Sequence, residues 1–165
     1  LLLGIYIKIV SEGPMIYWSK RIGLKNKIFF MPKLRTMKAD TPQLATHLIT
    51  NPEEKLIMFG GLIRKYSLDE LPQLLSIIKG DLTFIGPRPA LFNQYDLIDA
   101  RTKLGIHLLK PGLTGWAQVN GRDNISVDEK VRLDEYYLLN KSFKMDMVIL
   151  FKTTLKIFIF KDVSH

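Results

Sequence analysis

Two adjacent carboxylates and one arginine held between prolines are the residues of this sequence best suited to chemistry. Asp69 and Glu70 come shortly before Pro72, and Arg88 lies inside a Pro-Arg-Pro segment at residues 87–89. A carboxylate can attack phosphorus as a covalent nucleophile, and Mg²⁺ prefers carboxylates together with substrate phosphates as its ligands. Arginine binds phosphate oxygens in a bidentate manner, and flanking prolines fix where its side chain points. These residue types indicate phosphoryl transfer on a diphosphate.

The position of Pro72 predicts where the two carboxylates lie. Proline has no backbone N–H and is tolerated in a helix only in the first turn, so the apolar run 73–78 predicts a helix that begins at residues 69–71. Free N–H groups and the helix dipole favour anions at such an end. Two interpretations of Asp69 remain open on these residues alone. It is either a helix cap, a position that aspartate favours, or a reactive group.

Basic residues flank this segment in the sequence. Lys33, Arg35 and Lys38 lie close together at the exit of a predicted β-hairpin, where they form either a solvated basic face or a clamp for a phosphate or diphosphate. Arg64 and Lys65 come just before the carboxylates and favour their ionised forms.

The sequence predicts a small β component. Two aromatic and apolar runs, at residues 15–19 and 28–34, flank a basic segment and predict a hairpin with a basic loop. Pro32 in the second run indicates an edge strand or a bulge, because proline cannot donate to a strand ladder. Shorter runs predict strands at 82–85 and 116–119. The Lys, Pro and Gly residues directly before the last of these runs predict a loop.

Helices are predicted for most of the remaining chain. Ser126 and Glu129 are three residues apart and form a capping box, which predicts the start of a helix. The helices are predicted at residues 1–10, 40–51, 52–65, 90–100, 101–108, 126–140 and 145–160. We therefore expect an α+β fold, mostly helical with a small β-hairpin or sheet, organised as a single membrane-associated (monotopic) domain.

Composition limits the partners and the chemistry. The 165 residues include 24 Lys and Arg against 16 Asp and Glu, and the formal net charge of +8 indicates an anionic partner. Hydrophobic residues make up 47% of the chain and its mean hydropathy is +0.06, which favours a membrane and a phosphate over nucleic acid. The absence of cysteine excludes disulfides, zinc–thiolate sites and cysteine nucleophiles. No Walker loop, dinucleotide fingerprint, nucleophile elbow or nucleic-acid-binding signature is present.

Two apolar segments bear on membrane association. The chain begins with Leu rather than Met, and LLLGIYIKIV is interpreted as the tail of a longer hydrophobic segment, so residues 1–12 are expected to end a membrane-associated helix. The apolar segment 145–160 has Lys152 and Lys156 on one stripe. It is either a core helix or an interfacial helix with its lysines at the headgroups, and the basic stripe favours the interface. Residues 13–165 are expected to form the catalytic domain.

Five blocks of the sequence resemble the bacterial sugar transferases, the monotopic polyprenol-phosphate phosphoglycosyl transferases. The blocks are KLRTM at 33–37, LIRKYSLDELPQL at 62–74, KGDLTFIGPRP at 79–89, KPGLTGWAQVNGR at 110–122 and DEYYLLNKSFKMD at 134–146. They are collinear with the family pattern and extend over nearly the whole chain. The resemblance favours the reactive interpretation of Asp69.

The resemblance implies a reaction and its participants. Asp69 is expected to attack the β-phosphate of a UDP-sugar, so that UMP leaves and a covalent phosphosugar intermediate forms. A polyprenol phosphate, usually undecaprenyl phosphate, then accepts the sugar phosphate at the cytoplasmic face of the bacterial inner membrane. The product begins the assembly of a glycan such as an exopolysaccharide, lipopolysaccharide or capsule. Mg²⁺ is expected as the cofactor, with Glu70 and Asp69 as its candidate ligands.

The resemblance also implies the residues that bind substrate. Four basic residues are expected to line the anionic site: Lys33, Arg35, Arg64 and Arg88. Three further residues match functional positions of the family although their roles do not follow from chemistry: Gln118, Arg122 and Asp134.

Two other functions are weighed against this transfer. A hydrolase of nucleotide-diphosphate sugars would use the same dyad with water in place of the lipid. A basic nucleic-acid-binding module is supported only by the pI and is disfavoured.

Overall fold

The computed structural model of the chain describes residues 2–39, 41, 51–121 and 125–159. The helices are α1 Leu2–Val10, α2 Gly60–Lys65, α3 Leu74–Ile78, α4 Tyr95–Lys103, α5 Trp116–Asn120, α6 Val127–Asn140 and α7 Phe143–Ile159. The strands are β1 Ile16–Ile22, β2 Ile28–Leu34, β3 Thr83–Ile85 and β4 Gly112–Thr114. Turns of 3₁₀ helix lie at Leu24–Asn26, Pro52–Lys55, Leu68–Gln73 and Ile106–Leu108. The predicted α+β class, mostly helical and in one domain, is confirmed.

The hairpin of β1 and β2 forms as predicted, but with a shorter loop. The strands pair antiparallel from Ile16 opposite Leu34 to Ile22 opposite Ile28. Residues 20–22, predicted as loop, belong to β1 because they pair with residues 28–30 of β2. Both strands are edges of a two-stranded sheet, which agrees with the edge position that Pro32 predicts.

The second small sheet corrects the predicted strand at residues 116–119. That segment is helix α5, and the strand lies earlier, at β4, where a loop was predicted. β4 pairs parallel with β3, and a Cβ on Gly112 would lie only 2.1 Å from the backbone N of Gly86. Because only glycine permits so close an approach of two backbones, the glycines that predicted a loop are what make the strand pairing possible.

The helix predicted at residues 52–65 is interrupted. After the 3₁₀ turn at Pro52–Lys55, Leu56 is extended and forms an isolated β-bridge with Met37. Phe59 then adopts a left-handed conformation with φ 55°, and α2 begins at the next residue. The bridge to Met37 overrides helical propensity here.

The helices predicted at residues 90–100 and 101–108 have different bounds. Leu91 forms a bridge with Arg21 of the hairpin and donates its N–H to Gln94 Oε1, so α4 begins only at Tyr95. The helix continues to Lys103 and a left-handed Gly105, φ 75°, separates it from the 3₁₀ turn that follows.

The last two helices follow the predictions closely. Ser126 caps α6 by accepting a hydrogen bond from the backbone N of Glu129, as the capping box predicts. α7 begins at Phe143, two residues before the predicted start, and buries Ile149 completely against Val119 and Tyr137. A second buried cluster joins α4 to α6 through Ala90, Leu97, Ile106 and Val131.

Membrane association is not decided by helix length. Within the part of the chain that the structure describes, no helix combines the length and the hydropathy that crossing a bilayer requires. The interfacial position of α7 stays a prediction. Lys152 of this helix lies against α5, where it donates to Asn120 Oδ1 at 3.2 Å and sits over the Trp116 ring. The helix predicted at 40–51 lies outside the described residues, apart from positions 41 and 51.

Candidate active site

The 3₁₀ turn Leu68–Gln73 presents the two carboxylates against strand β2. Ser67, not Asp69, is the residue before the turn, and it adopts a left-handed conformation with φ 54°. No side-chain hydrogen bond caps the turn. Asp69 lies inside the turn with only 6% of its surface exposed. The interpretation of Asp69 as a helix cap is therefore wrong, and its carboxylate is available for another role.

Glu70 binds two cations through one oxygen. Its Oε1 accepts from Lys33 Nζ at 2.9 Å and from Arg88 Nη2 at 2.7 Å. Burial favours the neutral form of Glu70, but the charges and hydrogen bonds of Arg88 and Lys33 outweigh it and hold the pKa well below its ordinary value. Glu70 is therefore ionised and joins the hairpin to the Pro-Arg-Pro segment.

Asp69 lies beside the same cations without a comparable bond. Its Oδ2 is 4.0 Å from Lys33 Nζ, and it accepts no hydrogen bond from any residue that the structure describes. Burial raises the pKa of Asp69 and the charge of Glu70 raises it further, while Lys33, Arg64 and Arg88 oppose the rise. A buried carboxylate with free lone pairs, close to cations that attract phosphate, has the properties of a nucleophile.

Lys33 reaches the dyad from the inner face of the hairpin. It follows Met31 by two residues and therefore projects from the same face of β2, the face on which Met31 is only 2% exposed. Burial lowers the pKa of Lys33, and the neighbouring Glu70 is the main group that opposes this shift. The salt bridge to Glu70 thus favours the charged form of a largely buried ammonium group next to Asp69.

The Pro-Arg-Pro segment is held through its carbonyl groups. Pro87 O accepts from the backbone N of Gly112 at 3.0 Å. Arg88 O accepts from Arg101 Nη1 at 2.8 Å, and Pro89 O accepts from Arg21 Nη1 at 3.1 Å. Two of these donors, Arg101 and Arg21, were not among the residues identified from the sequence.

The dyad fits a magnesium ion only together with substrate. In the described ranges, no group of three or more His, Cys, Asp and Glu residues is placed to hold a metal. Because Glu70 Oε1 already binds two cations, the carboxylate of Asp69 and the second oxygen of Glu70 are the protein groups left to coordinate an ion. Mg²⁺ is commonly bound by one or two carboxylates with substrate phosphates completing the shell, so the residues fit this cofactor.

Comparison with known protein families identifies the family of this chain. A model described as bacterial sugar transferase matches residues 1–160. The chain belongs to the bacterial sugar transferase family. It is 40% identical over 160 residues to the uncharacterized sugar transferase EpsL of Bacillus subtilis, with 96% of this chain and 77% of that protein aligned.

Two relatives in this family have names that state a reaction. The chain is 34% identical over 155 residues to the UDP-N-acetylgalactosamine-undecaprenyl-phosphate N-acetylgalactosaminephosphotransferase of Aeromonas hydrophila, over 91% of this chain and 37% of that one. It is 32% identical over 181 residues to the undecaprenyl-phosphate galactose phosphotransferase of Salmonella typhimurium, over 100% of this chain and 38% of that one. The chain thus spans little more than a third of these two relatives.

The structure brings three of the sequence-predicted substrate residues of this sugar transferase to the dyad or near it. Lys33 and Arg88 contact Glu70, and both act on Asp69 electrostatically, as does Arg64 in the last turn of α2. Glu70 and Asp69 are adjacent, as the sequence requires.

Arg35 lies beneath the turn between α1 and β1, where no contact to the dyad is seen. It is 7% exposed, and its Nη2 donates to Ser11 O at 2.9 Å. Its Nε and Nη1 are buried with no partner among the described residues. A Cβ on Gly13, φ 102°, would lie 2.4 Å from Nη1, so the turn closes directly over the guanidinium. The predicted phosphate contact of Arg35 stays a prediction.

The other predicted substrate residues lie elsewhere. Gln118 is on α5, and both polar atoms of its amide are buried without a partner in the described part of the chain. Asp134 is only 1% exposed and pairs with Arg101. That places it in the interior rather than on a surface that lines the dyad. Arg122 falls outside the described residues.

Proposed function

We propose that this chain transfers a sugar 1-phosphate from a UDP-sugar to a polyprenol phosphate, with Asp69 as the nucleophile. The supporting observation is the unequal pairing of the dyad. Glu70 takes the hydrogen bonds of Lys33 and Arg88, whereas Asp69 is buried near three cations and accepts no hydrogen bond from the part of the chain that the structure describes. Family membership and the names of two relatives support the same reaction class.

The first half of the reaction forms a covalent intermediate. A carboxylate oxygen of Asp69 attacks the β-phosphorus of the donor, and the bond from that phosphorus to the bridging oxygen breaks. UMP leaves with the electron pair, and the sugar phosphate stays on Asp69 as an acyl phosphate. Lys33, Arg64 and Arg88 bind the phosphate oxygens and stabilise charge that develops there. Bound Mg²⁺ would neutralise further phosphate charge and is proposed to be held by Asp69 and Glu70.

The second half regenerates the enzyme. A phosphate oxygen of the polyprenol phosphate attacks the same phosphorus, and the bond to Asp69 breaks to restore the carboxylate. The product is a polyprenyl diphosphate sugar. We place this reaction at the cytoplasmic face of the bacterial inner membrane, where it would begin the assembly of a surface glycan.

The test follows UMP release by the full-length protein with a panel of UDP-sugars, Mg²⁺ and undecaprenyl phosphate. Incubation with donor alone should add one sugar phosphate to the intact mass, and peptide mapping should locate it on Asp69. Asp69→Asn should lose the adduct and lower turnover by about 10⁴-fold or more. Asp99→Asn makes the same change on the exposed side of α4 and should leave both unchanged. Full turnover in Asp69→Asn would refute the nucleophile.

The lipid dependence separates transfer from hydrolysis. We expect UMP release beyond a single turnover only when undecaprenyl phosphate is present. Free sugar phosphate formed at the same rate with and without the lipid would identify a hydrolase instead.

A further inference from the structure

Arg88 lies outside the helices and strands, and contacts with neighbouring residues hold it in position. Two of the three residues in the Pro-Arg-Pro segment lack an N–H, so backbone hydrogen bonding there depends on the carbonyls. Arg101 Nη1 holds the carbonyl of Arg88 itself at 2.8 Å. We propose that Arg101 and Asp134 are positioning residues that hold Arg88 against Glu70, a role that rests on the transfer reaction proposed above.

The guanidinium of Arg101 makes these bonds in two directions at once. Its Nε and Nη2 donate to Asp134 Oδ2 at 2.9 Å and 2.5 Å, and its Nη1 donates to Arg88 O. Asp134 thereby fixes the plane of the guanidinium, and the third bond follows from that plane. A lysine has a single point of charge and cannot reproduce this fork.

Burial of the pair supports a positional role. Arg101 is 7% exposed and Asp134 is 1% exposed. A buried ion pair contributes little net stability, because apolar residues of similar volume usually serve as well. The bond to Arg88 is what an apolar pair could not supply. Since Arg88 Nη2 is 2.7 Å from Glu70 Oε1, a displaced Arg88 backbone also displaces the cation that faces the substrate phosphates.

The test replaces the pair without leaving a buried charge. Four full-length proteins are compared. They are the wild type, the double variant Arg101→Met with Asp134→Leu, the single variant Arg88→Ala, and the triple variant that combines all three substitutions. In the Arg88 wild-type background, the double substitution should lower kcat/KM for the donor by about 10²-fold, the effect of a displacement of about 1 Å at a reacting centre. It should raise the Kd of UDP by about tenfold.

The Arg88→Ala background distinguishes positioning from general structure. With no side chain at residue 88 to position, the double substitution should change kcat/KM and Kd by less than about threefold. If the double substitution lowers kcat/KM by the same factor in the Arg88→Ala background as in the wild-type background, the proposal is wrong. Val131→Ala, one turn earlier on α6, is the matched control. It leaves a cavity in the α4–α6 cluster, and any effect it has should multiply with Arg88→Ala.

Two further measurements keep the proposal testable. If the double variant does not fold, Arg101→Lys enters the same cycle with the same two outcomes. If the wild type releases no UMP with any UDP-sugar of the panel, the proposed transfer reaction is wrong. A crystal structure of the double variant then tests the positioning role. Loss of the contact between Arg88 and Glu70 would support it, and an unchanged contact would refute it.

Discussion

Two clusters in this molecule combine carboxylates with cationic side chains, and they distribute their hydrogen bonds differently. Arg101 and Asp134 form a closed pair in which each charge meets the other and little solvent. In the dyad cluster, Lys33 and Arg88 both bind Glu70, and the one ion pair of Asp69 among the described residues is the 4.0 Å contact with Lys33. The clusters contain similar groups, but 16% to 28% of the Lys33, Glu70 and Arg88 side chains is exposed, against 9% and 1% for Arg101 and Asp134. They therefore differ both in depth and in how the hydrogen bonds are shared.

The comparison indicates where reactivity can reside. Glu70 and Asp134 each accept two charged hydrogen bonds through one oxygen, which suits a structural role. Asp69 accepts no hydrogen bond from the described residues, and burial raises its pKa, so its charge is destabilised in the folded state. Burial also raises the pKa of Asp134, so the hydrogen bonds, and not the direction of the pKa shift, distinguish these two carboxylates. The comparison is consistent with an anchoring role for Glu70 and Asp134 and supports the proposal that Asp69 is the nucleophile.

The largest effect on stability should come from opening the closed pair. Arg101→Ala leaves Asp134 buried without its partner, and loss of one member of a buried pair lowers the free energy of unfolding by about 3–5 kcal/mol. Urea denaturation measures this. Replacing both residues, as Arg101→Met with Asp134→Leu, should restore most of the loss. A double variant as unstable as the single one would contradict the account of the pair.

A smaller loss is expected when the anchor of the dyad loses its charge. Glu70→Gln leaves Lys33 and Arg88 facing one another and removes two charged hydrogen bonds, so we expect a loss of about 1–3 kcal/mol at pH 7. Because the folded pKa of Glu70 lies below its ordinary value, the wild type holds this advantage above about pH 4.3 and loses it as the pH falls through the folded pKa. A difference between the two proteins that stays constant as the pH falls would argue against the salt bridges.

Substitution of the neighbouring residue Asp69 should raise the free energy of unfolding rather than lower it. Asp69→Asn removes a destabilised buried charge, so the variant should be more stable than the wild type by about 0.5–2 kcal/mol at pH 7 while it loses turnover. Since the folded pKa of Asp69 is raised, the gain should shrink as the pH falls through that pKa and vanish below about pH 3.9. Parallel unfolding curves at several pH values test this, and a destabilised variant would show that Asp69 is anchored after all.

The sequence predicted the parts of the site that depend on local pattern. Pro72 predicts a helical start at residues 69–71, and the 3₁₀ turn Leu68–Gln73 begins one residue earlier, with α3 following at Leu74. The swap between strand and helix at residues 112–120 could not be predicted, because the approach of Gly112 to Gly86 is a contact between distant segments. Local propensity predicts a loop at such glycines whether or not another strand lies beside them.

The closed pair did leave a signal in the sequence. Arg101 lies four residues after Leu97, and Asp134 lies three residues after Val131 and three before Tyr137. Each charge therefore occupies the apolar stripe of its own helix. A buried charge requires a partner, and two opposite charges on two apolar stripes indicate a pair. The helix crossing that joins them, and the third bond to Arg88, become visible only in the tertiary structure.

The smallest effect is expected at an exposed pair on the same helix as Asp134. Arg132 Nη2 lies 2.8 Å from Glu129 Oε1, a distance as short as those in the buried clusters, but 74% of the Arg132 side chain is exposed. Water screens such pairs, so Arg132→Ala should change the free energy of unfolding by no more than about 0.5 kcal/mol and leave UMP release unchanged. Urea denaturation at low and high salt measures it. An effect near that of Arg101→Ala would mean that proximity alone, and not burial and shared hydrogen bonds, sets the strength of these pairs.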